Sequence, residues 1–173
     1  IIMFTLLFSA CARNPVENPV NNAWLLTPEL TSVKVNDPFW TPLIERNRTA
    51  TIPYAFGKCE ETGRIDNFAV AGGLMKGKHT GERYNDSDVF KIIEGACYSL
   101  IETPDPLLRN YVDSLVTLIA AAQEDDGYLY TTRTMDSVNM APGAGRERWT
   151  DGRVSHELYN VGHMYEAAVA HYK

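Results

Sequence analysis

Two stretches of the chain repeat one pattern, in which a cluster of polar residues precedes an amphipathic helix. The first cluster, 84–88, leads into an apolar periodicity over 89–100. The second cluster, 155–159, leads into a similar periodicity over 161–172. Such an internal repeat predicts that the chain builds its fold from copies of one helical unit.

The two repeats align when the first is moved along the chain by 72 positions, which places Glu94 on Glu166 and Ala96 on Ala168. In both stretches the apolar residues recur at helical spacing. They occupy positions 89, 92, 93, 96, 97 and 100 in the first stretch, and 158, 161, 165, 168, 169 and 172 in the second. Both stripes are therefore predicted to be buried.

A third helix is predicted between the repeats, starting near Pro106 and carrying apolar residues to Ala122. The order of helix, short turn, helix, long loop and helix is typical of an array of helical hairpins. We therefore predict an all-α fold. The last helix is still in period at Lys173, and we expect the chain to be the N-terminal part of a longer protein.

The residues before the first repeat predict two further helices, at 42–49 and 52–61, after a short extended piece at 32–36. Residues 63–88 are rich in glycine and are predicted to form a loop, with a short helix near 67–71. The second long loop, 126–154, has 29 residues, and a loop of that length usually carries function.

The start of the chain resembles an export signal. Residues 1–10 are apolar but too few to span a bilayer, which takes roughly 20 residues. Small residues then precede Cys11, as in a bacterial lipoprotein signal, so we expect 1–11 to be a signal peptide with Cys11 lipidated. Residues 12–23 would be a flexible tether, and 24–173 the folded part. The chain would then be an exported lipoprotein of the periplasm or outer membrane, attached through its lipid only.

Composition excludes one class of partner. The chain has 173 residues and a net charge of −6, which argues against nucleic acid as a partner, since phosphate binding needs a basic face. Beyond Cys11 the only cysteines are Cys59 and Cys97. Cys97 lies on a predicted apolar stripe and is interpreted as a buried free thiol. Two cysteines supply too few ligands for a metal site, so no metal ligands are predicted here.

Both long loops lead into the N-termini of the repeated helices. In a ring of hairpins these two N-termini would face the same end of the molecule. Helix N-termini expose N–H groups that attract acceptor oxygens. We therefore expect a polar pocket where the starts of the two helices, near Asp86 and His156, come together.

His156 begins a sequence that resembles the zinc-peptidase motif H-E-x-x-H, but Asn160 replaces the second histidine. Two interpretations of His156 stay open, a substrate-binding side chain or a histidine that caps its helix. His163 is interpreted as a hydrogen-bonded core residue. Asp86 and Asp88 would either contact sugar hydroxyls or act as acid and base, or they would serve the start of their helix as cap and first-turn residues. Tyr128 and Trp149 would either stack on a sugar or anchor their loop.

Four linked motifs together resemble the β-L-arabinofuranosidase family of glycoside hydrolases. They are Gly63-Arg64-Ile65-Asp66-Asn67-Phe68, Tyr84-Asn85-Asp86-Ser87-Asp88-Val89, Ala121-Ala122-Gln123 with Asp126-Gly127-Tyr128-Leu129, and His156-Glu157-Leu158-Tyr159 with Gly162-His163. The resemblance implies a partial six-hairpin (α/α)6 barrel, in an enzyme that releases β-linked L-arabinofuranose from plant glycans with retention.

The resemblance also implies a zinc-bound cysteine nucleophile and two glutamates, all expected beyond Lys173, so no catalytic residue and no zinc ligand is expected in this chain. What the chain would supply is part of the sugar site. His156 is the first candidate for a substrate contact, followed by Asn67, Asp86, Asp88 and Tyr128. The alternatives are a non-catalytic glycan-binding lipoprotein on the same barrel, and a related six-hairpin hydrolase or lyase for another sugar.

Overall fold

A computed structural model describes residues 28–173; the predicted signal 1–11 with Cys11 and the predicted tether 12–23 lie outside this range. The helices are α1 (Trp40–Arg46), α2 (Ile52–Glu61), α3 (Arg64–Ala71), α4 (Asp86–Glu102), α5 (Pro106–Ala122), α6 (Thr131–Met135) and α7 (Glu157–Tyr172), after a 3₁₀ turn at Leu30–Ser32. Residues 28–173 contain no strand, so the all-α prediction is confirmed and the extended piece predicted at 32–36 is not formed as a strand.

The first helical segment is continuous where the sequence predicted two helices. A π-helical stretch, Asn47–Thr51, joins α1 to α2 without a break. Pro53 explains it, because proline has no N–H to donate and its ring presses on the preceding turn. The helix therefore widens for about one turn at this point and does not end.

The second segment, α3, starts after a left-handed turn at Gly63, whose φ is 74°. At its far end α3 approaches α5 closely, since a Cβ on Gly72 would lie 2.9 Å from the backbone carbon of Ala121. The short helix predicted near 67–71 is thus present and longer, and it closes the space between the first segment and α5.

Helices α4 and α7 run side by side in the same direction. Ser87 and Asn160 are in contact near their starts, and Tyr98 and Lys173 lie in one cleft near their ends. Helix α5 runs the other way, because His171 at the end of α7 hydrogen-bonds Asp113 in the middle of α5 at 2.8 Å, while Gln123 just after α5 lines a groove with Phe90 near the start of α4. Asp105 caps α5 by accepting the N–H groups of Leu107 and Leu108.

The core confirms the stripes predicted on α4 and α5. Val89, Ile93, Ala96 and Cys97 of α4 are buried, as are Val112, Leu115 and Ala122 of α5. Phe56, Phe68 and Phe90 fill the space between α2, α3 and α4. Cys59 and Cys97 are free and buried, as predicted for the Cys97 thiol.

The stripe predicted on α7 is wrong by about one residue of helical phase. Leu158, Tyr165 and Tyr172 are 64%, 61% and 93% exposed, whereas Glu157, Asn160 and Ala167 are buried. A displacement of 71 positions, not 72, superimposes the buried faces, since it carries Asp86 to Glu157, Val89 to Asn160 and Ala96 to Ala167. The prediction was wrong because it counted only apolar residues, and two of the buried positions on α7 are polar.

The exposed side of α7 borders an apolar groove of about 450 Å³ between α5 and α7. Its lining includes Phe90, Ile119, Met164, Ala168 and Tyr172. Apolar surface of this kind lowers the free energy of unfolding when it faces water instead of another helix.

We therefore predict that the isolated segment 23–173 does not unfold cooperatively. The test is circular dichroism during heating, with a dye that reports exposed apolar surface as a second readout. A sharp melting transition without dye binding would contradict the prediction.

Within residues 28–173, no helix is both long enough and apolar enough to cross a bilayer.

Candidate functional site

The starts of α4 and α7 meet at one end of the molecule. The Ser87 N–H donates to Oδ1 of Asn160 at 3.2 Å, and Nδ2 of Asn160 donates to the Arg83 carbonyl at 3.2 Å. Asn160 is 1% exposed, so its amide is committed to joining the two helices. The predicted convergence of the two N-termini is confirmed, and a buried asparagine produces it.

One backbone carbonyl organises the loop that enters α7. The oxygen of Val154 accepts a hydrogen bond from Nε of Arg83 and lies 2.6 Å from Nδ1 of His156. A carbonyl oxygen only accepts, so Nδ1 of His156 carries a proton. When the ring is neutral, Nε2 then has a free lone pair, and no group in residues 28–173 hydrogen-bonds it.

The His156 backbone is held in an unusual conformation. Its φ is 62°, in the left-handed region, which costs a non-glycine residue on the order of 1 kcal/mol. The ring lies between Tyr84 and Tyr159, with ring centres 5.1 and 5.7 Å away. His156 occupies the N-cap position of α7 but makes no capping hydrogen bond. The ring is therefore fixed by the loop and two aromatic rings, and not by a capping role.

A polar surface extends from His156 along the open side of α4. Asp88 accepts from Nε of Arg64 at 2.9 Å, and Nζ of Lys91 donates to the Tyr159 hydroxyl at 2.7 Å. Asp88 and Lys91 also line a cleft of about 520 Å³ with Tyr54, Lys58 and Arg64. Asp88, whose side chain is 37% exposed, lies in the first turn of α4. We call the surface formed by Asp88, Lys91, His156 and Tyr159 the polar face.

Asp86 lies behind this face and is 1% exposed. Its carboxylate accepts the Thr131 N–H at 2.9 Å and the Thr131 hydroxyl at 2.6 Å. Burial raises the pKa of Asp86 to about 6, although both bonds from Thr131 act to lower it. The N-cap of α4 is Asn85, so Asp86 anchors α6 to α4 instead of capping its own helix.

Asn67 is also 1% exposed, and both ends of its amide bond the backbone of Thr80. It fixes the loop before α4 against α3. The structure thus gives Asn67 and Asp86 supporting positions behind the polar face, without polar atoms open to a sugar. As direct sugar contacts they stay predictions.

Tyr128 and Trp149 both lie at the buried carboxylate of Glu157. The Tyr128 hydroxyl donates to Oε1 at 2.6 Å, and the backbone N–H of Trp149 donates to Oε2 at 3.1 Å. Burial and the Glu157 carboxylate raise the pKa of Tyr128, so its hydroxyl stays a donor. Tyr128 is 5% exposed, so it anchors the loop; its role as a sugar contact stays a prediction.

Of the five predicted substrate contacts, the structure brings His156 and Asp88 to the polar face. Sequence reasoning missed Arg83, Lys91, Glu157 and Tyr159. For Lys91 the sequence did contain a signal. Lys91 lies four residues after Ser87, on the same side of its helix, and a ring of hairpins would place it beside the polar cluster 155–159. Glu157 gave none, because a glutamate in the first turn of a helix is usually exposed. His163 is partly buried and bonds Glu166 in its own helix at 2.7 Å.

The side chains of residues 28–173 are not arranged to hold a metal ion. Residues 28–173 contain no group of three or more histidine, cysteine, aspartate or glutamate side chains placed to hold one. Burial raises the pKa of the Cys59 and Cys97 thiols, which disfavours the thiolate form that binds zinc. Residues 28–173 therefore do not fit a zinc centre.

The chain is similar to proteins of known family. The family model for the β-L-arabinofuranosidase GH127 catalytic domain matches residues 32–173. The non-reducing end β-L-arabinofuranosidase of Bifidobacterium longum subsp. longum is 33% identical over 161 residues, covering 82% of this chain and 24% of that protein.

Two solved structures are similar as well. A GH127 β-arabinofuranosidase superimposes with a TM-score of 0.77 at 52% identity, over 83% of this chain and 23% of its own. A GH127 β-L-arabinofuranosidase from Geobacillus stearothermophilus T6 gives a TM-score of 0.73 at 36% identity, over 81% and 22%. The predicted partial α/α barrel is confirmed, and the chain spans about a quarter of each relative.

Proposed function

Because this chain belongs to the family of β-L-arabinofuranosidases with a GH127 catalytic domain, we propose that it is part of an enzyme that hydrolyses terminal β-linked L-arabinofuranose, with retention of configuration. The substrate would be an arabinose-containing plant glycan or oligosaccharide. In this proposal the chain supplies one wall of the sugar site, and the groups that react with the anomeric carbon lie outside residues 28–173.

The observation that carries the proposal is the geometry of His156. Its backbone is strained, its Nδ1 is committed to Val154, and its Nε2 is left with a free lone pair. Strained non-glycine backbones of this kind cluster at functional sites. An oriented imidazole acceptor between two tyrosine rings fits a neutral sugar hydroxyl, which donates to Nε2.

The roles of the other residues follow from their positions. Asp88 is a second substrate contact, since it lies on the polar face and its carboxylate is partly exposed. Asn67, Asp86 and Tyr128 hold the loops that carry the contacts. A zinc ion, if the whole enzyme holds one, would be bound by residues outside 28–173 and would keep a cysteine nucleophile deprotonated.

The location of the protein is part of the same proposal. An apolar stretch at 1–10 followed by Cys11 supports export and lipid attachment at Cys11, with 12–23 as the tether. An exported, membrane-anchored enzyme would meet its glycan outside the cytoplasm. The alternative, a non-catalytic glycan-binding lipoprotein on the same barrel, would keep the polar face and lack hydrolysis.

The test is hydrolysis of a panel of aryl glycosides by the full-length protein. We expect release of the aryl group from the β-L-arabinofuranoside and little from the α-L-arabinofuranoside, β-D-xyloside or β-D-galactoside. Hydrolysis of another member of the panel alone would assign a different sugar. Binding of L-arabinose without hydrolysis of any glycoside would favour the non-catalytic alternative.

A further inference from the structure

The ammonium of Lys91 is held by hydroxyl groups on the polar face. Nζ donates to the Tyr159 hydroxyl at 2.7 Å and to Oγ of Ser87 at 3.1 Å, while Oδ1 of Asp88 is 3.9 Å away. An ammonium has three N–H donors, so one of them has no acceptor within hydrogen-bond distance among the described residues. Lys58, by contrast, bonds a glutamate in its own helix.

Tyr159 connects Lys91 to His156. Its ring contacts His156 edge-on with centres 5.7 Å apart, and the Lys91 ammonium lies 4.6 Å from the ring centre. Other tyrosine hydroxyls donate to protein oxygens, as in Tyr111, Tyr128 and Tyr130. The Tyr159 hydroxyl instead accepts from Lys91, and within residues 28–173 its own proton has no acceptor. Tyr159 is 45% exposed, so a ligand has access to it.

We propose that Lys91 and Tyr159 form a second contact point, which binds a hydroxyl of the sugar next to the one bound by His156. This inference rests on the proposed function and extends it to two residues with no role assigned so far. Lys91 has an N–H and Tyr159 an O–H that can donate to a ligand, whereas Nε2 of neutral His156 can only accept.

The combination selects a polyhydroxylated, uncharged ligand. Sugar hydroxyls donate and accept, so they satisfy Nε2 of His156 and the free donors of Lys91 and Tyr159 together. A carboxylate only accepts, and it would leave the lone pair of the neutral His156 ring without a donor. Oδ2 of Asp88 accepts the bond from Arg64, and Oδ1 lies 3.9 Å from Nζ of Lys91, beyond hydrogen-bond distance, so the third donor of Lys91 is available to the ligand.

The test uses Lys91→Met and Tyr159→Phe in the full-length protein, with the aryl glycoside that the wild type hydrolyses and its deoxy analogues, each lacking one hydroxyl. Lys91→Met is expected to lower kcat/KM for the parent glycoside by roughly 10- to 100-fold, since a hydrogen bond to a charged group is lost. For the one analogue that lacks the contacted hydroxyl, the loss should disappear. Tyr159→Phe should show a smaller loss with the same analogue, and Lys91→Arg should restore part of the activity.

Matched controls are Lys34→Met and Tyr98→Phe, exposed residues of the same types away from the polar face. Both should leave kcat/KM unchanged. Equal losses for Lys91→Met with the parent and every deoxy analogue, or no loss at all, would overturn the contact. If the wild type hydrolyses nothing, the proposed activity is wrong. L-Arabinose and its deoxy analogues are then titrated by calorimetry, and absence of binding, or binding indifferent to Lys91→Met, overturns the contact separately.

Discussion

Replacing His156 with asparagine is expected to lower kcat/KM for the aryl β-L-arabinofuranoside by roughly 100-fold, the scale for losing one oriented polar contact in an enzyme site. Asparagine tolerates the left-handed backbone that His156 adopts, so the variant removes the imidazole without adding strain. The melting temperature should therefore change little while activity falls. Steady-state kinetics and thermal melting of the same preparation provide both measurements.

The matched control for this variant is His171→Asn. His171 lies at the opposite end of α7 and bonds Asp113, so its loss should not affect turnover. Equal activity of the His156→Asn variant and the wild type would show that the ring does not contact the substrate. A large fall in melting temperature with His156→Asn would instead indicate that the ring serves the fold.

The largest effect on stability is expected at Asp86. In Asp86→Ala the N–H and the hydroxyl of Thr131 lose their acceptors in a fully buried position, which we expect to lower the free energy of unfolding by roughly 3 kcal/mol at pH 5. Urea unfolding of the full-length protein, followed by near-ultraviolet circular dichroism, measures this change. Asp113→Ala, on an exposed part of α5, is the control and should cost under about 1 kcal/mol.

The same variant should change how stability depends on pH. Burial raises the pKa of Asp86 from 3.8 to about 6, so the folded state holds this proton more tightly than the unfolded state. The contribution of Asp86 to the free energy of unfolding is therefore greatest below pH 4 and falls as pH rises to about 6, by about 3 kcal/mol in all. Asp86→Ala should remove this decline and be less destabilising at pH 8 than at pH 5. An unaltered pH profile would contradict the account of Asp86.

The sequence was sufficient for the fold wherever apolar residues alone marked the buried face. On α4 and α5 the predicted stripes are buried, whereas the short helix α6, which carries no apolar stripe, lies inside the loop predicted at 126–154. On α7 the buried face carries Glu157 and Asn160, which satisfy their polar groups through Tyr128 and Ser87. Periodicity of apolar residues does not detect a buried face of this kind. Its polar residues are buried because they form hydrogen bonds with residues far away in the sequence.

The site was harder to predict than the fold, for a related reason. Asn67 and Asp86 have the chemistry of sugar contacts, but distant backbone groups at Thr80 and Thr131 occupy their polar atoms. Sequence gives the chemistry of a side chain and not its partners. His156 was predicted because its place at a helix start is visible in the sequence, whereas its tautomer depends on the Val154 carbonyl and is visible only in the structure.

The central claim is that the starts of α4 and α7 form one sugar site around His156. A crystal structure of the full-length protein soaked with L-arabinose tests it most directly. We predict an arabinofuranose ring on the polar face, with one hydroxyl oxygen about 2.8 Å from Nε2 of His156. A sugar bound elsewhere, with Nε2 of His156 facing only water, would contradict the claim.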